Sequence, residues 1–231
     1  MKRFYFALTN KCNRTCKYCS CFSRPNKTTF LSFDIIKNYI DSVDCEFEIQ
    51  LEGGEPLLHP EFFDIIEYSV NTGRCSKVIL TSNFALVDNI ASFFYRLNLK
   101  QLKNFLVKPS INYELYTEES DFFSKMKSIK DTLKDYPKFE LKFNVRLDKS
   151  EDDEVILKNL EEFGLTEDSS VFYYQRYGYA ADNEDFDLPF IITEHVDFNL
   201  ISPDGKDFGM DLIARSEHMK GLIWKDKELC F

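Results

Sequence analysis

The sequence predicts an α/β fold: a partial, open (β/α)6 barrel followed by a short C-terminal β-hairpin and helix. Three observations predict it. Short apolar strands alternate with amphipathic helical stretches, the pattern of a parallel sheet. Several strands carry a polar row opposite their apolar row, which is unusual for a parallel sheet covered on both faces. A closed barrel would fill its interior with branched apolar residues, so polar rows point to a wet and open one. The 231 residues, with 23 Phe and 12 Tyr, can bury a core without disulfides or a structural metal.

A first strand is expected at 4–9. Ser32 is placed to cap a helix over 32–43, with Phe33, Ile36, Ile40 and Val43 on one face. In the second strand, 47–52, Phe47, Ile49 and Leu51 oppose Glu48, Gln50 and Glu52. Pro60 suits the first turn of a helix over 60–71, and a strand at 77–82 and a helix at 86–97 follow. The strand at 105–112 sets Phe105, Val107 and Ile111 against Lys108, Ser110 and Asn112. Phe122, Met126, Ile129 and Leu133 stripe a helix over 117–135. In 139–147 every odd position is apolar, so Lys142, Asn144 and Arg146 share the other face. Ser150 opens a helix over 151–163 that Gly164 ends, and the sixth strand falls at 171–177. Residues 198–206 read as a hairpin around Pro203-Asp204-Gly205. The expected division is a barrel over 1–180 and an extension over 181–231.

Composition narrows the partners. Twenty-nine basic against 39 acidic residues give −10, with no Lys/Arg cluster to follow a phosphate backbone, so no nucleic-acid partner is expected. No apolar run approaches the roughly 18–20 residues that span a bilayer. Met1-Lys2-Arg3 leads into a stretch that ends by Leu8 without a small-residue cleavage site, so it reads as a strand and not as a signal peptide. A cytoplasmic protein without a membrane partner is expected.

Seven cysteines without a signal peptide argue against a disulfide framework. Cys45 and Cys75 read as buried small hydrophobes. Cys12, Cys16 and Cys19 form C-x3-C-x2-C on a loop directly after the first strand, and thiolates this close repel unless metal neutralises them. Zinc wants a fourth ligand; Cys21 is poorly spaced for one, and His59, His195 and His218 are remote. A [4Fe–4S] cluster with one open iron suits three thiolates better, since an electron-transfer cluster would have all four irons ligated by protein. Zinc and redox thiols stay open at this point.

The cysteine loop, with aromatic Tyr18 before its third cysteine, resembles the signature of the radical S-adenosylmethionine (SAM) superfamily. Leu51-Glu52-Gly53-Gly54-Glu55-Pro56 is similar to that family's GGEP motif, again after a strand. The resemblance covers roughly residues 3–180. It implies one [4Fe–4S] cluster held by Cys12, Cys16 and Cys19, with no catalytic residue assigned beyond it. SAM would chelate the open iron, and Gly53, Gly54, Glu55 and Pro56 would receive its amino group, the glycines allowing close approach. The resemblance further implies that one electron cleaves the sulfonium to a 5′-deoxyadenosyl radical, which abstracts hydrogen from substrate. Ser82 and Asn83 match the family's polar tip on the third strand. Ser110, Asn112, Asn144 and Arg146 are candidates for the SAM ribose and carboxylate, and Arg176 for SAM or substrate.

The stretch 175–180 and the expected hairpin resemble the SPASM/twitch branch of peptide maturases, but without its auxiliary-cluster cysteines; only Cys230 remains. A single cluster under a shortened cap is therefore expected. The implied activity is modification of a ribosomally made peptide by crosslinking, epimerisation or oxidation. The alternatives are a glycyl-radical-enzyme activase, a small-molecule radical SAM enzyme or a zinc-binding module. A reductant such as ferredoxin or flavodoxin is implied. With no leader-binding domain before Phe4, a separate recognition protein or the cap is expected to hold a peptide.

Overall fold

In the computed structural model the described residues are 1–189 and 197–222. They begin β1 (Lys2–Thr9), α1 (Phe33–Asp41), β2 (Phe47–Gly53), α2 (Phe62–Asn71), β3 (Cys75–Ser82), α3 (Ile90–Leu97) and β4 (Phe105–Ile111). There follow α4 (Tyr113–Glu118), α5 (Phe122–Leu133), β5 (Phe139–Leu141), β6 (Phe143–Leu147), α6 (Asp152–Glu162), β7 (Ser169–Tyr173), β8 (Asp197–Ile201) and α7 (Leu212–Gly221). The strands run β7-β6-β4-β3-β2-β1-β8 across one sheet, with β5 also beside β4, and every ladder is parallel. This is the open α/β barrel that the alternation predicts. Among the described residues no helix is long and apolar enough to cross a membrane.

Strand periodicity decides which way the sheet faces. Phe4, Phe6 and Leu8 of β1, Phe47, Ile49 and Leu51 of β2, and Phe105, Val107 and Ile111 of β4 join one buried core with Ile36, Ile66, Met126 and Ile156 of the helices. Full burial of each such side chain contributes about 1.5–3 kcal/mol. The polar rows are left on the opposite, inner face. Parallel pairing also gathers the loops that follow the strands at one rim.

Several elements depart from expectation. The expected strand 139–147 is broken into β5 and β6 at Lys142. In register, the gap lies opposite Lys108 and Pro109 of β4, where proline has no N–H to give a ladder. The expected helix 117–135 is two helices: α4, which Asn112 caps by accepting from Leu115 N–H at 2.9 Å, stops where Glu119 turns extended (φ −132°, ψ 115°), and α5 begins at Phe122. Ser32 stands at the start of α1 but makes no side-chain cap. Cys75 is buried as expected, whereas Cys45 is exposed in the loop before β2.

The C-terminal stretch joins the barrel. A turn closes at Ser202–Lys206, as Pro203-Asp204-Gly205 predicts, and the returning chain bonds back antiparallel, with Phe208 N–H donating to Leu200 C=O at 3.0 Å; on its other edge Asp197–Ile201 pairs in parallel with β1. Beyond it α7, capped by Asp211, lies on the inner face, where Met219 and Leu222 pack with Ala7 and Cys21. Cys230 and His195 lie outside the described residues.

Candidate active site

The exit of β1 and the exit of β2 are tied backbone to backbone. Gly54 N–H donates to Thr9 C=O at 2.7 Å and Glu55 N–H to Lys11 C=O at 2.9 Å. The closeness explains the glycine pair. A Cβ on Gly54 would stand 2.0 Å from the Lys11 carbonyl oxygen, and one on Gly53, at φ +120°, would stand 2.6 Å from that of Thr9. The backbone of the cysteine loop thus requires these glycines in its own right, beside the expected close approach of SAM.

Glu55 is fully buried, and its carboxylate is already spent. It accepts from Ser82 Oγ at 2.7 Å, Asn83 N–H at 2.9 Å and Leu57 N–H at 3.1 Å, bolting the tip of β3 to β2. Burial raises its pKa, against which those three donors work. What Glu55 and its neighbours can offer a ligand is main chain. Beneath this turn His59 is buried, with Nδ1 accepting from Glu61 N–H at 3.2 Å, so Nε2 carries the proton to the Leu31 carbonyl at 2.8 Å. Burial lowers its pKa, and its place is structural.

A cavity of about 280 Å³ opens against this rim. Cys12, Cys16 and Cys19 line it, and each is a free thiol. Burial pushes the Cys12 thiol up and the Cys16 thiol up to about 12, so both stay protonated until metal replaces the proton. Cys21 also reaches the wall, but it sits in the apolar cluster with Ala7, Met219 and Leu222, and burial pushes it up to about 12. Tyr18 lines the cavity with its ring stacked 3.7 Å from that of Tyr174. The loop is braced by Arg14, which also lines the cavity and pairs with Glu118 at 2.6 Å and with Glu119.

The remaining wall is made by the polar rows. Gln50 and Glu52 of β2, Lys108 and Ser110 of β4, and Asn144 and Arg146 of β6 all line the cavity. Ser110 and Asn144 are register partners, and Arg146 stacks 4.8 Å over the Phe172 ring. Ser82 and Asn83 close the β3 side, with Asn83 Nδ2 donating to Asn13 Oδ1 at 2.9 Å. Four expected residues stand elsewhere. Glu55 and Pro56 are buried beneath the rim, Asn112 is consumed as the α4 cap, and Arg176 lies off the wall with its backbone N–H on Asp187 C=O.

Other residues of the wall were not singled out by sequence. Arg215 of α7, 4 % exposed, pairs with Glu52 at 2.7 Å, and Gln50 Nε2 donates to the second Glu52 oxygen at 2.6 Å. Ser216 Oγ donates to the Ser20 carbonyl at 2.6 Å, so α7 also holds the cysteine loop. Gly178, at φ +67°, lets the chain after β7 meet that loop: a Cβ there would lie 2.4 Å from Ser20 Cα.

The donors suit a polynuclear iron–sulfur centre: three free thiols from one loop around a shared cavity. Among the described residues, no three Cys, His, Asp or Glu converge as a single ion would need. The family model of the radical SAM superfamily matches residues 6–136, more than half of the chain. The chain belongs to the radical SAM superfamily. As a radical SAM enzyme it works with a [4Fe–4S] cluster and SAM. Among curated relatives, GTP 3′,8-cyclase of Microcystis aeruginosa is 30% identical over 128 residues, 52% of this chain and 36% of that one. An S-adenosylmethionine-dependent nucleotide dehydratase of Selenomonas ruminantium is 31% identical over 80 residues, 34% of this chain and 29% of that one. The chain thus spans little more than a third of the Microcystis relative's length. Among solved structures, Streptococcus suis SuiB bound to its precursor peptide SuiA superposes with TM-score 0.58 at 12% identity, covering 92% of this chain and 59% of that one. The anSMEcpe chain with AdoMet and a peptide gives 0.56 at 19%, covering 75% and 51%. At these identities the likeness is one of fold.

Proposed function

We propose that this radical SAM enzyme holds its cluster on Cys12, Cys16 and Cys19 and acts on a ribosomally made peptide. One observation carries the site: the three free thiols, the Gly53-Gly54 turn and the polar rows of β2, β4 and β6 line a single cavity. When bound, the reduced cluster and SAM supply a 5′-deoxyadenosyl radical that takes hydrogen from a substrate carbon.

The chain's own residues bind, orient and exclude water. Main chain at Gly53–Glu55 receives the SAM amino group, since the Glu55 carboxylate is engaged below. Arg146, fixed over Phe172, meets the SAM carboxylate with its guanidinium fork. Ser110 and Asn144, side by side, meet ribose hydroxyls. Tyr18 and Tyr174 form an apolar lip that keeps water from the cysteine loop. Asn112 and Arg176 have no part in this assignment. Residues 1–180 make the body of the barrel, and the extension over 181–231 adds β8 beside β1 and lends α7 to the inner face. A ferredoxin- or flavodoxin-like reductant supplies the electron.

The peptide reading draws on likeness over most of the chain to a maturase that carries its peptide. A second reading, a nucleotide-like small molecule, is favoured by the nucleotide activities of the curated relatives and by the arginines of the wall. The test is anaerobic reconstitution with dithionite and SAM, following 5′-deoxyadenosine with and without candidate peptides. About four irons per chain are expected. Replacing Cys12, Cys16 and Cys19 together by Ala should abolish both iron retention and 5′-deoxyadenosine, whereas Cys21→Ala should keep its iron. Continued 5′-deoxyadenosine formation by the triple variant would refute the assignment. A protein-borne glycyl radical in a partner, seen by electron paramagnetic resonance, would turn the substrate reading toward an activase.

A further inference from the structure

Besides Arg14 Nε at the cysteine loop, two buried N–H donors on the cavity wall have no hydrogen-bond partner among the described residues: Gln175 Nε2 and Arg215 Nη1. Both residues are at least nine-tenths buried, Gln175 at 9 % exposure and Arg215 at 4 %. They come from different elements, one just past β7 and the other on α7. Buried donors are normally satisfied, so two left unspent on one wall call for an acceptor. The Arg215 fork is pre-set for one. Its Nη2 is fixed on Glu52 at 2.7 Å, and Glu52 is in turn held by Gln50, which orients the guanidinium and leaves its other nitrogen unused.

Charge points the same way. In a chain of net −10, the cavity is lined by Arg14, Lys108, Arg146 and Arg215 against one carboxylate, Glu52. Arg14 is taken by Glu118 and Glu119, and Glu52 by Arg215. With Arg146 assigned to SAM, the corner by α7 keeps donors that SAM does not use. We infer that Arg215 and Gln175 receive an oxyanion of the substrate, a carboxylate or a phosphate, and so select which molecules the radical meets. The inference rests on reading this cavity as the site of SAM cleavage. A peptide would bring a side-chain or terminal carboxylate, and a nucleotide-like molecule its phosphate. Both offer the planar or clustered oxygens that a guanidinium fork matches.

The test is calorimetric titration of the full chain, cluster reconstituted and SAM in excess, with inorganic pyrophosphate and, separately, with glutarate. Wild type should bind at least one of them. Arg215→Gln should weaken that binding by at least about tenfold, Gln175→Leu by less, and Lys134→Ala on the outer surface not at all. Tighter pyrophosphate binding assigns a phosphate-bearing substrate and tighter glutarate binding a carboxylate-bearing one; either supports the site. Because Arg215→Gln strips Glu52 of its ion pair, Gln175→Leu, which breaks no hydrogen bond, decides the matter if the arginine variant fails to fold. Wild type that makes no 5′-deoxyadenosine overturns the radical reading itself. Wild type that makes it, yet binds neither probe or binds no more tightly than both variants, overturns only the oxyanion site.

Discussion

The two sides of the cavity are built from different materials. On the side of β1, β2 and β3, main chain holds main chain: Gly54 and Glu55 donate to Thr9 and Lys11, and the Glu55 carboxylate is saturated by three donors. On the side of β6, β7 and α7, side chains make the wall, through the Arg146–Phe172 stack, Arg215 reaching across to Glu52 of β2, and the Gln175 and Arg215 N–H groups that have no partner among the described residues. Backbone contacts fix one geometry and tolerate few substitutions, whereas a side-chain wall can be rewritten one residue at a time. The first suits a chemistry shared by a whole superfamily, and the second suits the choice of substrate. The family match ends at residue 136, before β6 begins.

The sharpest way to break this contrast is at the glycine turn. Gly54→Ala sets a Cβ against the Lys11 carbonyl, so one backbone must move. The variant should lose at least about 3 kcal/mol in urea unfolding and also its iron. If it unfolds like wild type and keeps iron, the cysteine side is not a rigid backbone weld. Gly178→Ala tests the seam between the two sides. Its positive φ and the 2.4 Å approach to Ser20 Cα predict a loss of about 1–3 kcal/mol. Its iron should become easier to chelate, because the cysteine loop would lose its support from the chain after β7.

The smallest effect is expected at His59, whose neutral ring props the turn from below. Its folded pKa is depressed by burial, and its unfolded value is near 6.5. The stability this gives is therefore present above about pH 6.5 and is lost as pH falls toward the folded value. Gln can donate to Leu31 and accept from Glu61 without titrating. Between pH 7 and 5, wild type should lose more stability than His59→Gln. Parallel pH profiles of the two proteins would remove the histidine from the account.

What was legible from sequence follows the same division. Alternation in 105–112 and 139–147 was enough to send Ser110, Asn144 and Arg146 to one inner face, because side-chain direction in a strand is fixed by parity. The cysteine spacing and the glycine pair lie in continuous stretches whose chemistry is local. Asn112 misled because it has the right parity for the wall, yet as the last residue before a helix its amide is worth more as a cap. Glu55 misled because two of the three donors that saturate it come from the tip of a different strand. Arg215 was beyond reach: its partner is 163 residues away, and α7 carries buried Arg215, Ser216 and Met219 with no clean apolar stripe.

Because Asp197–Ile201 lies along Lys2–Phe6, the strand that leads into the cysteine loop is an interior strand, flanked on both sides. A version cut short before Asp197 would bare a ribbon of unpaired amides and carbonyls beside its oxygen-sensitive iron. Purification of such fragments should give sticky, iron-poor aggregates even though every residue of the signature is still present.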